Sequence, residues 1–337
     1  DIARQSVEFV ENVYLPDVKA IASFYPDWFK YGGGLVRKNV LCYGDFPEIA
    51  NDWSEKSLQM PSGAIIDGKL DEVLPVDLRD PEQVQEFVDH SWYKYPEGKK
   101  GLHPWDGITD QDYGLPKGSV GTNTKFSWIG SEGKYSWVKS PRWKGHMMEV
   151  GPLARLIVSI AKDVKHFKEP ALELLKELNL PVDAIYSTLG RHAARALECR
   201  WSAHKMVQYV DDLTANIRAG DEAAANMDFW EPKTWPKYCK GVGFCEAPRG
   251  ALGHWCVIRD TRLENWQAVV PTTWNASPRS DEGQQSAFET SLMGTPLADP
   301  KRPLEIIRTI HSFDPCLACA THVFDPEGKE LCNVKVR

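Results

Sequence analysis

The sequence predicts a multi-domain α+β protein: a helical bundle with long helices, followed by a β-rich, loop-rich region. Three observations lead to this fold class. The longest helical pattern runs from Ser187 to about Ala219, and at 1.5 Å per residue such a helix is about 45 Å long, as is typical of bundles. From Gly241 onward, short β-rich runs replace the helical period. A close cysteine pair, Cys316 and Cys319, lies near the end of the chain.

The helices are predicted from apolar residues spaced three and four apart. The predicted apolar faces consist of Val7, Val10, Tyr14 and Val18 in the first helix, Leu153, Leu156, Ile157 and Ile160 in a later one, and Ala203, Val207, Val210, Leu213 and Ile217 in the longest. Ser187 is the predicted N-cap of the longest helix. Asp80, Pro81 and Gln83 form a capping-box pattern that predicts another helix start, and Pro170 predicts the opening of one more.

The chain divides by pattern into a helical and a β-rich part. Residues 1–240 are predicted to form a mainly helical bundle part, with long loops at about 100–145, where Gly, Pro, Trp and Asp are frequent. Residues 241–322 are predicted to form the β-rich active-site region. In it, the runs "HWCVIRD" and "ENWQAVV" predict a hairpin that turns across Asp260–Leu263.

Composition excludes several classes of function. The chain has 337 residues, of which 42% are hydrophobic and 26% charged, as in globular proteins. The net charge is −7 and no basic stripe is present, so nucleic acid is not an expected partner. The most apolar stretch, Leu156–Ala161, is far shorter than the roughly 20 residues that span a bilayer. No signal peptide is visible, so membrane association or export is expected to depend on a partner chain.

The stretch "DPCLACATH" brings Cys316, Cys319 and His322 together. A CxxC pair is compatible with a redox centre, covalent haem attachment, structural zinc or two coincidental core cysteines. No thioredoxin-like unit, CxxCH sequence or second cysteine pair accompanies it. The spacing therefore favours half of a metal site, whose remaining ligands lie elsewhere. The chain also opens at Asp1 in the middle of a helical pattern, which suggests a fragment or a processed product.

Five segments together resemble the large subunit of the nickel–iron hydrogenases, most closely the membrane-bound uptake type. They are "EVGPLAR" (149–155), "GRHAARALE" (190–198), "GFCEAPRGALGHW" (243–255), "VVPTTWNASPR" (269–279) and "DPCLACATH" (314–322). They occur in the family's order over essentially the whole chain. The family's first motif, RxCGxC, supplies two further cysteines and is absent here. The resemblance implies the C-terminal part of such a subunit, a little over half of it.

The resemblance implies a metal-ligand set. Cys316 would be a terminal thiolate on nickel, and Cys319 would bridge nickel and iron. His322 and the backbone carbonyl of Ala268 would bind Mg2+. Soft thiolate ligands suit nickel and iron, whereas oxygen ligands suit magnesium.

It also implies the surroundings of the iron, which carries CN and CO in this family. Arg249 would lie over the metals, where it polarises or accepts a proton, and Asp314 would orient it. Thr272 and Arg249 would donate hydrogen bonds to cyanide, and Pro248 and Pro271 would line the pocket for the diatomic ligands. Arg249, Asp314 and Cys316 are thus the expected catalytic residues.

The implied function is H2 oxidation to protons and electrons by heterolytic cleavage at the Ni-Fe centre. The implied partners are an iron–sulfur small subunit, a cytochrome b-type membrane subunit reached through it, and a maturation protease. That protease would cut between His322 and Val323 and remove a C-terminal extension, residues 323–337. The implied location is the periplasmic side of the cytoplasmic membrane, as a peripheral protein exported with its partner. The alternative is a non-catalytic metal-binding or assembly fragment that holds at most one ion at Cys316 and Cys319.

Overall fold

The computed structural model describes residues 1–49, 51–112 and 133–316, together with the backbone of 321–324 and 330–334. Its helices are α1 (Ile2–Phe9), α2 (Leu15–Phe24), α3 (Pro152–Ala161), α4 (Lys165–Glu177), α5 (Thr188–Arg218), α6 (Pro271–Asn275), α7 (Ala287–Leu292) and α8 (Leu304–Ser312). A π-helical turn, Val10–Tyr14, joins α1 to α2. Long helices and small sheets together confirm the predicted α+β class.

The strands form small antiparallel sheets. They are β1 (Val40–Cys42), β2 (Asp45–Pro47), β3 (Leu58–Met60), β4 (Gly63–Ile65), β5 (Val84–Phe87), β6 (Tyr93–Lys94), β7 (Gly101–Leu102), β8 (Asp110–Gln111), β9 (Ser140–Trp143), β10 (Tyr238–Ala247), β11 (Gly250–Arg259), β12 (Arg262–Val269), β13 (Thr321–Phe324) and β14 (Glu330–Val334). The sheet orders are β10–β11–β12, β7–β5–β9, β1–β4, β2–β3, β6–β8 and β13–β14.

The longest predicted helix is confirmed as α5. The Ser187 hydroxyl accepts the N–H of Gly190 at 2.9 Å, as an N-cap does. The helix stops two residues before Gly220, whose φ of +89° is unfavourable for residues with a Cβ. The first half of α5 is buried between α3 and α4 and shares their apolar cluster through Ala194 and Leu197.

The predicted hairpin is confirmed as β11 and β12. Arg259 faces Arg262 across a two-residue turn in which Asp260 and Thr261 have φ of 48° and 63°. Both central residues of such tight hairpin turns need positive φ. At the other end, β10 and β11 meet at a second tight turn, Pro248–Arg249, because Ala247 faces Gly250. The three-stranded sheet thereby carries Arg249 at its tip.

The predicted helix start at Asp80 is wrong. Val84–Phe87 instead pairs with β9. The Gln83 side chain, expected to close a capping box, accepts the N–H of Asp77 at 2.9 Å and the indole N–H of Trp143 at 3.1 Å. Packing against Trp143 therefore outweighs the local helix signal.

The described part of residues 1–240 is not helical throughout. The described residues between 40 and 143 form short strands. One of these strands, β1, packs into the same apolar cluster as α3. A strand can bury its side chains in this way without the helical spacing of apolar residues. Pro170, expected to open a helix, lies inside α4, which begins at Lys165. The division of the chain into domains stays a prediction.

Two large apolar clusters hold the described chain together. One joins α3, α4 and α5 to β1, and the other joins the β10–β11–β12 sheet to α6 through Trp143, Trp255 and Trp274, each at most 1% exposed. A smaller cluster includes Phe288 and Phe313. Because Phe313 immediately precedes Asp314, this small cluster anchors the loop that follows α8.

The second half of α5 contradicts the predicted buried stripe. Ala203 is buried, but Val210, Leu213 and Ile217 are 49%, 59% and 51% exposed. The apolar face exists as predicted, yet no described residue covers it. Among the described helices, none is both long enough and apolar enough to span a membrane.

Candidate functional site

Three segments that are distant in sequence lie close together just after the end of α8. They are the turn between β10 and β11, the first turn of α6, and the loop residues 314–316. Arg249 from the first segment and Thr272 from the second both contact this loop. The structure thus gathers four of the predicted site residues at one place.

The predicted pairing of Arg249 with Asp314 is present. Arg249 Nε donates to the backbone carbonyl of Asp314 at 2.8 Å, and Nη2 lies 3.2 Å from its carboxylate Oδ1. The two side chains are 40% and 38% exposed, so the pair contributes little to stability. Its effect is to fix the direction of the Arg249 guanidinium. Asp314 has φ of 55°, a backbone conformation that aspartate tolerates better than most residues.

Thr272 holds the cysteine loop from the other side. It is 7% exposed, at the start of α6. Its Oγ1 accepts the backbone N–H of Cys316 at 3.1 Å. A hydroxyl that accepts one hydrogen bond can still donate its own proton. The residue can therefore fix Cys316 and also offer a donor to a ligand nearby.

The two prolines predicted to line the diatomic-ligand pocket differ in environment. Pro271 is buried at the start of α6, whereas Pro248 is exposed in the β10–β11 turn. Both are adjacent in sequence to a residue that contacts the 314–316 loop. A role for either in enclosing ligands stays a prediction.

Ala268 lies on β12, opposite His254 of β11. Its neighbour Gln267 joins a polar cluster, buried at Glu86 and Lys139, that the sequence did not predict. Lys139 Nζ donates to Gln267 Oε1 and Thr109 Oγ1, each at 3.0 Å, and lies 3.8 Å from Glu86 Oε2. Burial raises the pKa of Glu86 to about 7, although Lys139 opposes this. These residues share no sequence motif, so only the fold reveals them.

The remaining predicted ligands have no described side chains. Cys319 lies outside the described residues, and His322 is described in its backbone alone. That backbone forms β13, which pairs antiparallel with β14: His322 faces Asn333, and Val323 faces Cys332. The predicted cleavage point therefore lies within a strand that pairs with the C-terminal extension.

Two histidines that the sequence analysis did not assign to the metal have ordinary surroundings. His254 stacks on Trp266 with ring centroids 5.4 Å apart and lies 3.2 Å from its indole nitrogen. Burial, together with the charges of Arg195 and Arg191, lowers the pKa of His192 to about 4. His192 is consequently neutral near pH 7.

Two glycines let the Arg249 turn approach α3. Gly250 has φ of +132°, and a Cβ placed on it would lie 2.6 Å from the backbone N of Gly151. A Cβ on Gly151, whose φ is +119°, would lie 2.9 Å from the carbonyl oxygen of Arg249. This close contact joins the "EVGPLAR" and "EAPRGAL" segments.

We expect Gly250→Ala to lower the apparent unfolding temperature of the protein, since the methyl group both strains φ and collides with backbone, at a cost of about 1–3 kcal/mol. Gly243→Ala is the matched control on the same sheet, because nothing lies within 4 Å of its Cβ position. Thermal unfolding of both variants checks this. Equal unfolding temperatures would show that the turn accommodates the methyl group without loss of stability.

The described residues fit part of a metal centre. Cys316 is exposed, its backbone N–H bonds to the Thr272 hydroxyl, and Arg249 bonds to Asp314 two residues earlier. Within the described ranges, no group of three or more His, Cys, Asp or Glu side chains could hold a metal ion. A soft thiolate suits nickel or iron.

Comparison with known proteins identifies relatives of matching sequence. The sequence profile of the nickel-dependent hydrogenases matches residues 1–322. The uptake hydrogenase large subunit of Bradyrhizobium diazoefficiens is 60% identical over 98% of this chain and 55% of its own length. The hydrogenase-1 large chain of Escherichia coli K12 is 52% identical over 100% of this chain and 56% of its own length. The chain thus spans about half the length of the curated relatives it matches.

Solved structures share the fold. The Ni-Fe-Se hydrogenase of Desulfomicrobium baculatum in a reduced, active form superposes with a TM-score of 0.71 at 32% identity, covering 94% of this chain and 58% of that one. The Ni-Fe-Se hydrogenase of Desulfovibrio vulgaris Hildenborough gives 0.70 at 31% identity, with 94% and 58% covered. Sequence profile, relatives and fold agree, and the chain belongs to the nickel-dependent hydrogenase family.

Proposed function

We propose that this chain is the C-terminal part of the catalytic large subunit of a nickel–iron uptake hydrogenase, which oxidises H2 to protons and electrons. The convergence of Arg249, Asp314, Thr272 and Cys316 carries the proposal, because each comes from a segment that resembles a family signature. The relatives that are 60% and 58% identical, which bear the name uptake hydrogenase large subunit, support it.

A nickel–iron centre, when bound, supplies the heterolytic splitting of H2. Cys316 would hold nickel through Sγ, and the same sulfur atom would accept the released proton. Cys319 would be a second thiolate that holds the centre. A guanidinium offers N–H donors and no acceptor, so the role proposed for Arg249 is to polarise and orient, with Asp314 setting its direction through the backbone carbonyl and the carboxylate. Asp314 is thus a positioning residue in this proposal.

The same geometry supports donors for anionic ligands on iron. The Thr272 hydroxyl proton and the Arg249 N–H groups that bond no described residue would serve as donors to CN, while Pro248 and Pro271 would line the space for CN and CO. His322 and the carbonyl of Ala268 would bind Mg2+. We assign the β-rich region 241–322 as the active-site part, residues 1–240 as the mainly helical part with its strands, and 323–337 as the extension.

The partners follow from the electron path. This chain lacks a cysteine set for an iron–sulfur cluster of its own, so the electrons would leave through an iron–sulfur small subunit. A cytochrome b-type membrane subunit would receive them next. We place the assembled enzyme on the periplasmic side of the cytoplasmic membrane, as a peripheral protein.

Metal analysis and hydrogen uptake test this function. A complete hydrogenase that carries this chain, copurified with its small subunit, should contain nickel and iron near one each and reduce a viologen dye with H2. Zinc alone, or no metal, with no dye reduction would favour the non-catalytic metal-binding or assembly module instead.

The extension is proposed to be removed by the maturation protease after His322. The β13–β14 pairing supports this, because the extension occupies the strand position beside His322 and Val323. Its charged residues include Asp325, Glu327 and Lys329, which cannot follow a buried metal ligand into the core without cost. Keeping the extension in place until nickel enters would hold the ligand strand in an open arrangement.

We expect the large subunit of the matured enzyme to end at His322. Intact mass spectrometry of active, nickel-loaded enzyme checks this, and enzyme prepared without nickel serves as the control that retains residues 323–337. Active, nickel-loaded enzyme that still carried the extension would contradict the maturation step.

A further inference from the structure

Arg155, on α3, donates three of its hydrogen bonds to the segment that precedes Arg249. Its side chain is 3% exposed. A guanidinium has five N–H groups, and all five have acceptors here. The acceptors are Glu198 Oε1 and Oε2, each at 2.7 Å, Glu246 Oε2 at 2.9 Å, and the carbonyl oxygens of Ala247 at 2.9 Å and Pro248 at 3.0 Å. Two of the five hydrogen bonds therefore hold the peptide units immediately before Arg249.

The two carboxylates around Arg155 favour its charged form. Burial opposes its charge, but Glu198 and Glu246 together raise its pKa above the ordinary arginine value. Glu246 lies on β10, and its other carboxylate oxygen accepts the backbone N–H of Tyr43 at 2.6 Å. The cluster therefore connects α3, α5 and β10 into one rigid support beneath the turn.

The backbone of α3 supports the same turn. The N–H of Arg155 donates to the carbonyl of Gly151 at 2.9 Å, and Gly151 lies against the Arg249 carbonyl and Gly250. The Val150 N–H and carbonyl both bond to the Asn275 side chain on α6, at 3.0 and 2.9 Å. The start of α3 thus sets the relative position of the two segments that carry Arg249 and Thr272.

We infer that Arg155 is a positioning residue for Arg249: it fixes the two peptide units before Arg249 so that the Arg249 guanidinium reaches Asp314. The inference rests on the proposed function, in which Arg249 faces the metal centre. Lysine cannot replace Arg155, because a single ammonium nitrogen cannot reach two carboxylates and two carbonyls in one plane. Buried acceptors left unpaired would favour movement of the turn.

The test is Arg155→Lys in a complete hydrogenase that carries this chain, with and without Arg249→Lys. A misplaced reacting group costs about 10- to 100-fold in turnover, which is the loss expected for Arg155→Lys alone. In the Arg249→Lys background the same change should cost less than about twofold, because both act through one group. In the metal-free subunit, the backbone amides of Ala247 and of residues 249–251 should exchange hydrogen faster in Arg155→Lys than in wild type; proline at position 248 has no N–H.

Arg142→Lys is the matched control. Arg142 is also 3% exposed, but its Nη1 donates to Ser140 and Pro141, away from the turn. It should leave turnover and the exchange of residues 247–251 as in wild type. Multiplicative losses in the double variant, or unchanged exchange in Arg155→Lys, would overturn the inference. Absence of hydrogen turnover in the wild-type complex would instead refute the proposed function, and the exchange comparison would still decide the role of Arg155.

Discussion

Replacing Arg249 by lysine in the complete, matured enzyme should slow turnover by about 10²- to 10³-fold, the effect of losing one preorganised donor at a reacting centre. Nickel and iron content should stay near that of wild type, because Arg249 is not a proposed ligand. Arg249 contacts Asp314 through two separate nitrogens, Nε at 2.8 Å and Nη2 at 3.2 Å. Lysine has one nitrogen and no planar fork, so it cannot keep both contacts and also face the metals.

Arg259→Lys is the control for this experiment. Arg259 lies on the same strand, β11, but at its far end, where Nε pairs with Glu264 at 3.0 Å on an exposed surface. It should retain wild-type turnover and metal content. Hydrogen-dependent dye reduction and elemental analysis of both variants provide the comparison. Wild-type turnover in Arg249→Lys would remove Arg249 from the catalytic residues.

These 337 residues alone should not hold the nickel–iron centre. The resemblance requires four thiolates, and only Cys316 and Cys319 form a pair in this sequence. The other cysteines are scattered: Cys42, Cys199, Cys239, Cys245 and Cys256 are free in the described structure, and Cys332 lies in the extension. Expressed alone with the maturation machinery, the chain should contain neither metal in stoichiometric amount and show no hydrogen uptake. Supplying a family N-terminal part with its own CxxC should restore both metals.

The isolated chain should also be poorly soluble, since Val210, Leu213 and Ile217 expose an apolar stripe on α5. Changing all three to serine should raise solubility without restoring metal, which separates the surface effect from the missing ligands. Stoichiometric nickel and iron with activity in the chain alone would show that another residue set completes the site. The assignment of Cys316 and Cys319 as half a site would then be wrong.

Local signals in the sequence were sufficient to predict an element where its structure depends on residues close together in the chain. Ser187 and the long periodic run determined α5, because capping and helical periodicity act within a few residues. The hairpin of β11 and β12 followed from two β-rich runs around a short turn. The α+β class followed from these elements in the same way.

The tertiary structure decided what local signals cannot. Gln83 completes a capping-box pattern, yet contact with Trp143, 60 positions away, places it before a strand. The stripe on α5 was visible in the sequence, but whether a stripe is buried depends on the neighbouring element. Pro170 inside α4 shows that packing can also override a local helix signal.

For the site, the motifs alone identified Cys316, Arg249, Asp314 and Thr272, because their residue types and order resemble a known family. The sequence could not show that all five N–H groups of Arg155 bond to Glu198 and to the segment before Arg249. Nor could it show that Glu86 and Lys139 lie close together beside Gln267. Such contacts join residues tens to more than a hundred positions apart, and only chain folding brings them within hydrogen-bonding distance. Local sequence thus determines which hydrogen bonds each residue can donate or accept, whereas the packing of α3, β10 and α6 determines which residues become its partners.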